Sequence, residues 1–189
     1  MGETTPKPDL TLGRTVVLVG MMGAGKTAVG GALATRLGVA MHDSDAEIVD
    51  SARMSIDEIF TRYGEPFFRE KEGQVIARLL DGPPCVLSTG GGAWLSADNR
   101  AMIGARATVL WLQADIDLLW ARVRHKTTRP LLRTDDPKAT LTVLLEDRTP
   151  LYALAPLRVA VQPAWSIDAT MQQVLDVLQT VAAVVPTTK

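Results

Sequence analysis

Apolar residues along this chain alternate between short unbroken runs and helical spacings. Thr15-Val16-Val17-Leu18-Val19 is β-branched and apolar throughout, the pattern of a strand covered on both faces of a parallel sheet. The glycine-rich stretch Gly20 to Gly25 follows it. From Thr27 to Leu37 the apolar positions Val29, Leu33, Ala34 and Leu37 fall on one helical face, and Gly38 ends the pattern. Val39-Ala40-Met41 reads as a weak second strand and Asp45 to Ala52 as a short helix. Ser55 and Glu58 have the spacing of a capping box, predicting a helix through Ile59 and Phe60. A further helix is predicted from about Glu65 to Leu80. Cys85-Val86-Leu87-Ser88 is a third strand, running into Gly90-Gly91-Gly92. Ser96 reads as a helix N-cap. The remaining pattern gives a strand over 107–112, a helix over 115–124, a polar basic loop over 127–136, a helix over 138–148, a strand over 157–161 and an amphipathic helix over 166–185.

Strand and helix alternate five times, which predicts an α/β fold with a five-stranded, mainly parallel sheet flanked by helices. Residues 1–13 are expected to be a loose tail, 14–185 a single domain and 186–189 a C-terminal tail. The length of 189 residues suits one domain with a substantial core. With 20 basic and 21 acidic side chains the net charge is −1, which argues against a nucleic-acid or membrane-surface binder. No apolar run approaches the length of a bilayer span, and the polar start shows no signal core. The single cysteine, Cys85, forbids an internal disulfide, and with only His42 and His125 a zinc site is not expected. These features suggest the cytoplasm.

Gly20-Met21-Met22-Gly23-Ala24-Gly25-Lys26-Thr27 matches G-x-x-x-x-G-K-[ST] in full. Glycines let such a loop wrap phosphate oxygens with its N–H groups inward, and the following helix adds the positive end of its dipole. Lys26 brings a cation to the β- and γ-phosphates, and the Thr27 hydroxyl can ligate Mg²⁺. Gly23, Ala24, Gly25, Lys26, Thr27 and Ala28 are therefore candidate ATP-binding residues. A chance match of this pattern is expected in roughly 1% of chains this long, and the strand before it and helix after it lower that further. Many such loops are served by an aspartate at the end of a neighbouring strand. Here the third strand ends in Ser88, and the nearest carboxylates are Asp43 and Asp45. If the segment is extended, a spacing of two points both to one side; the plainer reading is that Asp45 caps the next helix.

The chain resembles the shikimate kinase family. The resemblance rests on Gly20 to Thr27, Asp43-Ser44-Asp45, Gly64-Glu65-Pro66-Phe67-Phe68-Arg69, Ser88-Thr89-Gly90-Gly91-Gly92, Arg129-Pro130-Leu131-Leu132 and Arg148-Thr149-Pro150-Leu151-Tyr152, in that order across 14–180. It implies a three-layer P-loop kinase fold with a short mobile lid over about 124–137. The implied reaction transfers the γ-phosphoryl of ATP to the 3-hydroxyl of shikimate, in chorismate and aromatic amino acid biosynthesis. It further implies that Lys26, Asp45 and Arg129 are catalytic, with Asp45 binding the attacking hydroxyl as base or orienter. Arg69 and Arg148 would hold the substrate carboxylate, and Gly90, Gly91 and Gly92 would line the ring. Arg129 would reach the phosphates from the lid, Arg122 would lie near adenine, and Thr27 with Asp43 would support Mg²⁺. The partners implied are ATP and shikimate, and the state a monomer, with neither nucleic acid nor membrane.

The residue chemistry agrees with that set. A carboxylate is best held by the forked donors of arginine. Arg69 and Glu72 are three apart on a predicted helix, so Glu72 can orient Arg69, although such a pair is often only a surface ion pair. Gly90 to Gly92 could be a plain turn, and the basic residues Arg122, Arg124, Lys126, Arg129 and Arg133 a solvated loop. A closing arginine that stabilises γ-oxygen charge gives the loop a physical purpose. Phe60 and Phe68 read as core, and Trp94, Trp111, Trp120 and Trp165 as packing. Residues 164–168, which should approach adenine, show no recognisable pattern. A gluconate kinase is the alternative enzyme, since gluconate is also an anionic polyol. A non-catalytic nucleotide-binding module would be expected to lack Lys26, Asp45 or Arg129, and all three are present.

Overall fold

The central strand is Val16–Val19, and all four of its residues are fully buried. In the computed structural model, which describes residues 10–125 and 130–187, it is the second of seven strands. In chain order the elements are β1 (Leu10–Leu12), β2 (Val16–Val19), α1 (Lys26–Leu37), β3 (Met41–Asp43), α2 (Ser44–Ala52), α3 (Ile56–Leu80), β4 (Val86–Ser88), α4 (Ala97–Arg106), β5 (Thr108–Gln113), α5 (Ile116–Val123), α6 (Pro137–Tyr152), β6 (Leu157–Ala160), α7 (Ile167–Thr180) and β7 (Val184–Pro186). Short 3₁₀ turns occupy Ala93–Leu95 and Pro130–Leu132. The main sheet has the order β3-β4-β2-β5-β6 with every pairing parallel.

Parallel pairing aligns the C-terminal ends of the five strands along one edge, where ligands bind in such sheets. Register puts Asp43 opposite Ser88, and Ser88 opposite Leu18 at the end of β2. The glycine-rich loop leaves that same edge. Beneath it, Leu18, Leu87, Leu110 and Leu112 are fully buried, the dry double-sided packing that parallel strands require. A second, smaller apolar cluster of Ile48, Ile59 and Phe68, with Phe60 and Phe67 against it, ties α2 to α3. The Phe60 and Phe68 rings lie 4.7 Å apart; Phe68 is a core residue of this cluster, as expected from sequence, and Phe60 packs against it half-buried.

Several boundaries differ from the sequence reading. Residues 10–12 are a strand and not tail: β1 pairs antiparallel with β7, Leu10 with Pro186 and Leu12 with Val184. Leu10 and Leu12 are buried and Thr11 is exposed, an alternation too short to register as a period in the sequence. The final helix accordingly ends at Thr180, and Val184-Val185 are extended, as β-branched residues favour. The predicted C-terminal tail loses Pro186 to this strand. The second strand lies at 41–43 and not at 39–41. The helical span Ile56–Leu80 is two helices meeting at Gly64 (φ 79°, ψ 172°). Pro66 sits in the first turn of the second, where its missing N–H costs nothing. The capping box is present, Ser55 accepting from Glu58 N while Glu58 Oε2 accepts from Ser55 N at 2.8 Å. α6 runs past Pro150 to Tyr152 and not to Arg148.

Candidate active site

The loop after β2 turns on glycines: Gly23 and Gly25 have φ of 85° and 102°, backbone states that side chains disfavour. Gly25 is the N-cap of α1, so the first N–H groups of that helix face the loop's concavity. Lys26 is buried, and its Nζ donates to the carbonyls of Gly20 (2.8 Å) and Met21 (3.1 Å). Thr27 Oγ1 donates to Asp43 Oδ2 at 2.9 Å and lies 3.4 Å from Ser88 Oγ. A hydroxyl, a carboxylate and a second hydroxyl thus converge beside the loop. This all-oxygen set, with a single acidic group, suits Mg²⁺, which keeps several waters and takes its other ligands from phosphate. Among the described residues no group of three or more His, Cys, Asp or Glu side chains forms a metal cage.

Asp43 is also the N-cap of α2, its Oδ1 accepting from Asp45 N (3.1 Å) and Ala46 N (3.3 Å). Capping therefore belongs to Asp43 and not to Asp45. The two carboxylates sit at a strand–helix junction and not along one extended segment, so the alternation argument for their common direction does not hold. What directs Asp45 is the first turn of α2. Its carboxylate rests directly on Gly90, so closely that a Cβ there would overlap it. Gly90 N donates to Ser44 Oγ at 3.1 Å, fixing the loop against the start of the same helix.

Gly92 has the same relation to Arg69, whose guanidinium occupies the space a Cβ would take. Arg69 donates to Glu72 Oε2 (2.8 Å) and Glu65 Oε1 (3.1 Å). Glu72 is fully buried, and its Oε1 has no hydrogen-bond partner among the described residues. Burial pushes the Glu72 carboxyl up to about 6 despite the opposing pull of Arg69. For Arg69 burial acts against the charge, but Glu72 and Glu65 outweigh it and raise its pKa. The pair is therefore not a solvated surface bridge. Gly92 has an ordinary φ of −97°, so Gly92→Ala should fold normally while its methyl displaces the Arg69 head. The expected result is a rise of several-fold, about 3–10 times, in KM for a carboxylate substrate bound beside the glycine loop, read from steady-state kinetics, with KM for ATP unchanged.

Between these two glycines, the Gly91 carbonyl accepts from Tyr152 Oη at 2.5 Å. Tyr152 is buried and stacks on Trp111 at 6.1 Å. Burial pushes its phenol up to about 12, so the hydroxyl remains a donor. Trp94 Nε1 donates to Leu151 O at 2.9 Å. Trp94 and Tyr152 thus brace the glycine loop against α6. The sequence offered a signal for this only as the quoted Arg148 to Tyr152 motif.

A cavity of about 590 Å³ joins these parts. The loop from Gly23 to Ala28, Asp43, Asp45, Gly90, Gly91 and Arg122 all line it. Arg69, Gly92 and Arg148 lie outside its lining, beside the glycine loop; Arg148 Nη1 is 3.7 Å from the point a Cβ on Gly91 would occupy. Arg122 Nη1 donates to the carbonyls of Gly23 and Ala24, both at 3.1 Å, so it braces the phosphate loop. Val161, Trp165, Ile167 and Thr170 close the far end. Trp165 is thus a cavity wall and not simply packing, a role carried by no local motif. Arg129 lies outside the described residues, as does Lys126. Downstream of them, Arg133 pairs with Asp57 at 3.0 Å. No helix among the described residues is long and apolar enough to cross a membrane.

Comparisons with known proteins place the chain in a family. The family described as shikimate kinase matches residues 22–179. A shikimate kinase of Ruegeria pomeroyi is 60% identical over 169 residues, covering 89% of this chain and 87% of that protein. Among solved structures, a shikimate kinase from Acinetobacter baumannii in complex with shikimate superposes with a TM-score of 0.81 at 35% identity, covering 90% of this chain and 93% of that one. A gluconokinase from Sinorhizobium meliloti gives 0.59 at 19% identity over 91% of this chain and 95% of its own, a likeness of fold alone.

Proposed function

The chain belongs to the shikimate kinase family and transfers the γ-phosphoryl of ATP to the 3-hydroxyl of shikimate, and from that premise we propose how its residues divide the work. The phosphate loop and the N-terminus of α1 hold the β- and γ-phosphates, with Lys26 as the cation nearest the transferring group. Thr27 and Asp43, with Ser88 behind them, hold Mg²⁺. A bound ion would supply positive charge to offset the phosphate charge there. The adenine lies toward Trp165 and Ile167, and Arg122 keeps the loop in shape.

Shikimate lies over Gly90 to Gly92. Its carboxylate is held by Arg69 and Arg148, and its 3-hydroxyl points to Asp45. The observation that carries this reading is the stacking of function on three consecutive glycines: Asp45 on Gly90, Arg148 near Gly91, Arg69 on Gly92. An anion clamp beside a hydroxyl acceptor suits a compact hydroxylated ring acid whose nucleophilic hydroxyl lies on the same ring as its carboxylate. Asp45 either takes the proton or orients the hydroxyl for in-line attack, and most of the rate comes from positioning and charge stabilisation. Arg129 completes the charge clamp on the γ-oxygens. The enzyme works as a cytoplasmic monomer.

Purified protein should release ADP from Mg·ATP rapidly when shikimate is added, and shikimate 3-phosphate should accumulate in equal amount. Gluconate should give only the background rate. Turnover with gluconate and none with shikimate would transfer the chain to the alternative substrate.

A further inference from the structure

The geometry points to Tyr152 as a positioning residue that sets shikimate affinity, its phenol joining the Arg148 guanidinium to the Gly91 carbonyl. Arg148 and Tyr152 are four residues apart on α6, so their side chains share one face of the helix. The phenol donates to Gly91 O at 2.5 Å, and the Arg148 guanidinium acts on the phenol oxygen itself, by charge and hydrogen bonding. A Cβ on Gly91 would lie 3.7 Å from both Tyr152 Oη and Arg148 Nη1, so both groups border the same side of Gly91. A phenol has one proton to give and lone pairs to accept with. Donating to Gly91 makes its oxygen a better acceptor for Arg148, so the two bonds strengthen each other.

The arrangement also explains why a tyrosine stands at a fully buried position. Its ring packs on Trp111, which phenylalanine would do equally well. Its hydroxyl must find a partner, and the partner is the floor of the substrate site. One side chain thus fixes the height of the ring platform and the heading of one carboxylate ligand. The inference rests on the assignment of Arg148 to the shikimate carboxylate.

Tyr152→Phe keeps the ring and removes only the junction. KM for shikimate should rise about tenfold, while KM for ATP stays within about twofold and kcat falls less than KM rises. Tyr152 acts through Arg148, so adding Tyr152→Phe to Arg148→Lys should raise KM for shikimate less than about threefold beyond Arg148→Lys alone. If Tyr152→Phe is too unstable for ordinary assay, the comparison is read at low temperature with saturating Mg·ATP. An unchanged KM for shikimate in Tyr152→Phe, fully multiplicative effects in the double variant, or parallel rises in both KM values alongside a lowered Tm would each overturn the inference. A raised KM in Arg148→Lys with a silent Tyr152→Phe defeats this inference alone. Wild-type protein that does not phosphorylate shikimate defeats the functional reading on which it rests.

Discussion

Asp45→Asn should lower kcat about a thousandfold, within the range a positioned proton acceptor contributes, while Mg·ATP binds within a few-fold of wild type. The substitution keeps shape and contacts. Asn fills the space over Gly90 as Asp does, and the N-cap of α2 is untouched because Asp43 holds it. The phosphate loop, Lys26 and the Thr27–Asp43 pair lie on other elements and keep their geometry. What is lost is the charge and acceptor strength that the proposed mechanism assigns to the attacking hydroxyl. Steady-state kinetics with shikimate varied, beside equilibrium titration with a non-hydrolysable ATP analogue, separates the two effects. Near-normal turnover would remove Asp45 from the chemistry. An equal loss of nucleotide affinity would place it instead with the metal.

The parts of this site written in contiguous residues were legible in the sequence. The phosphate loop is one such part, because one turn between a strand and a helix must carry all its chemistry. The capping box at Ser55 and the pairing of Arg69 with Glu72 are others, since both depend on separations within one helix. The direction of Asp45 comes from the first turn of α2 and not from strand alternation. The turn from β3 into α2 begins at Ser44, one residue earlier than the pattern suggests, and that transfers the cap to Asp43. Contacts assembled across the fold left weaker traces. Tyr152 meets Gly91 across 61 positions, and Arg122 meets the phosphate loop across nearly 100. Trp165 becomes a cavity wall only because β6 lies at the sheet edge beside β5. The β1–β7 pair was missed on similar grounds. Each strand is three residues long, and each owes its conformation to a partner at the opposite end of the chain.

Arg69→Ala should raise KM for shikimate about a hundredfold, which corresponds to ~2.7 kcal/mol and lies within the range for a charge-assisted pair. The simple variant confounds binding with folding. Glu72 is fully buried, and Arg69 is its ion-pair partner; without it an uncompensated carboxylate remains in the interior, a large cost. The sign of the pH effect follows from the direction of the shift. The folded-state pKa of Glu72 is already raised, from 4.5 to about 6, and loss of Arg69 raises it further. An acid whose pKa is raised in the folded state favours folding where it is protonated and loses that contribution as pH rises. Arg69→Ala should therefore be close to wild-type stability near pH 5 and fall progressively behind up to about pH 8, as read from Tm. The double variant Arg69→Ala/Glu72→Gln removes the buried charge and should recover most of that stability. It should not recover affinity, because the guanidinium proposed to meet the substrate carboxylate is still missing. Recovery of KM along with Tm would show that Arg69 serves the fold and not the substrate. A high KM that persists in a stable double variant is the outcome expected of a carboxylate ligand, with Glu72 buried beneath it to hold its heading.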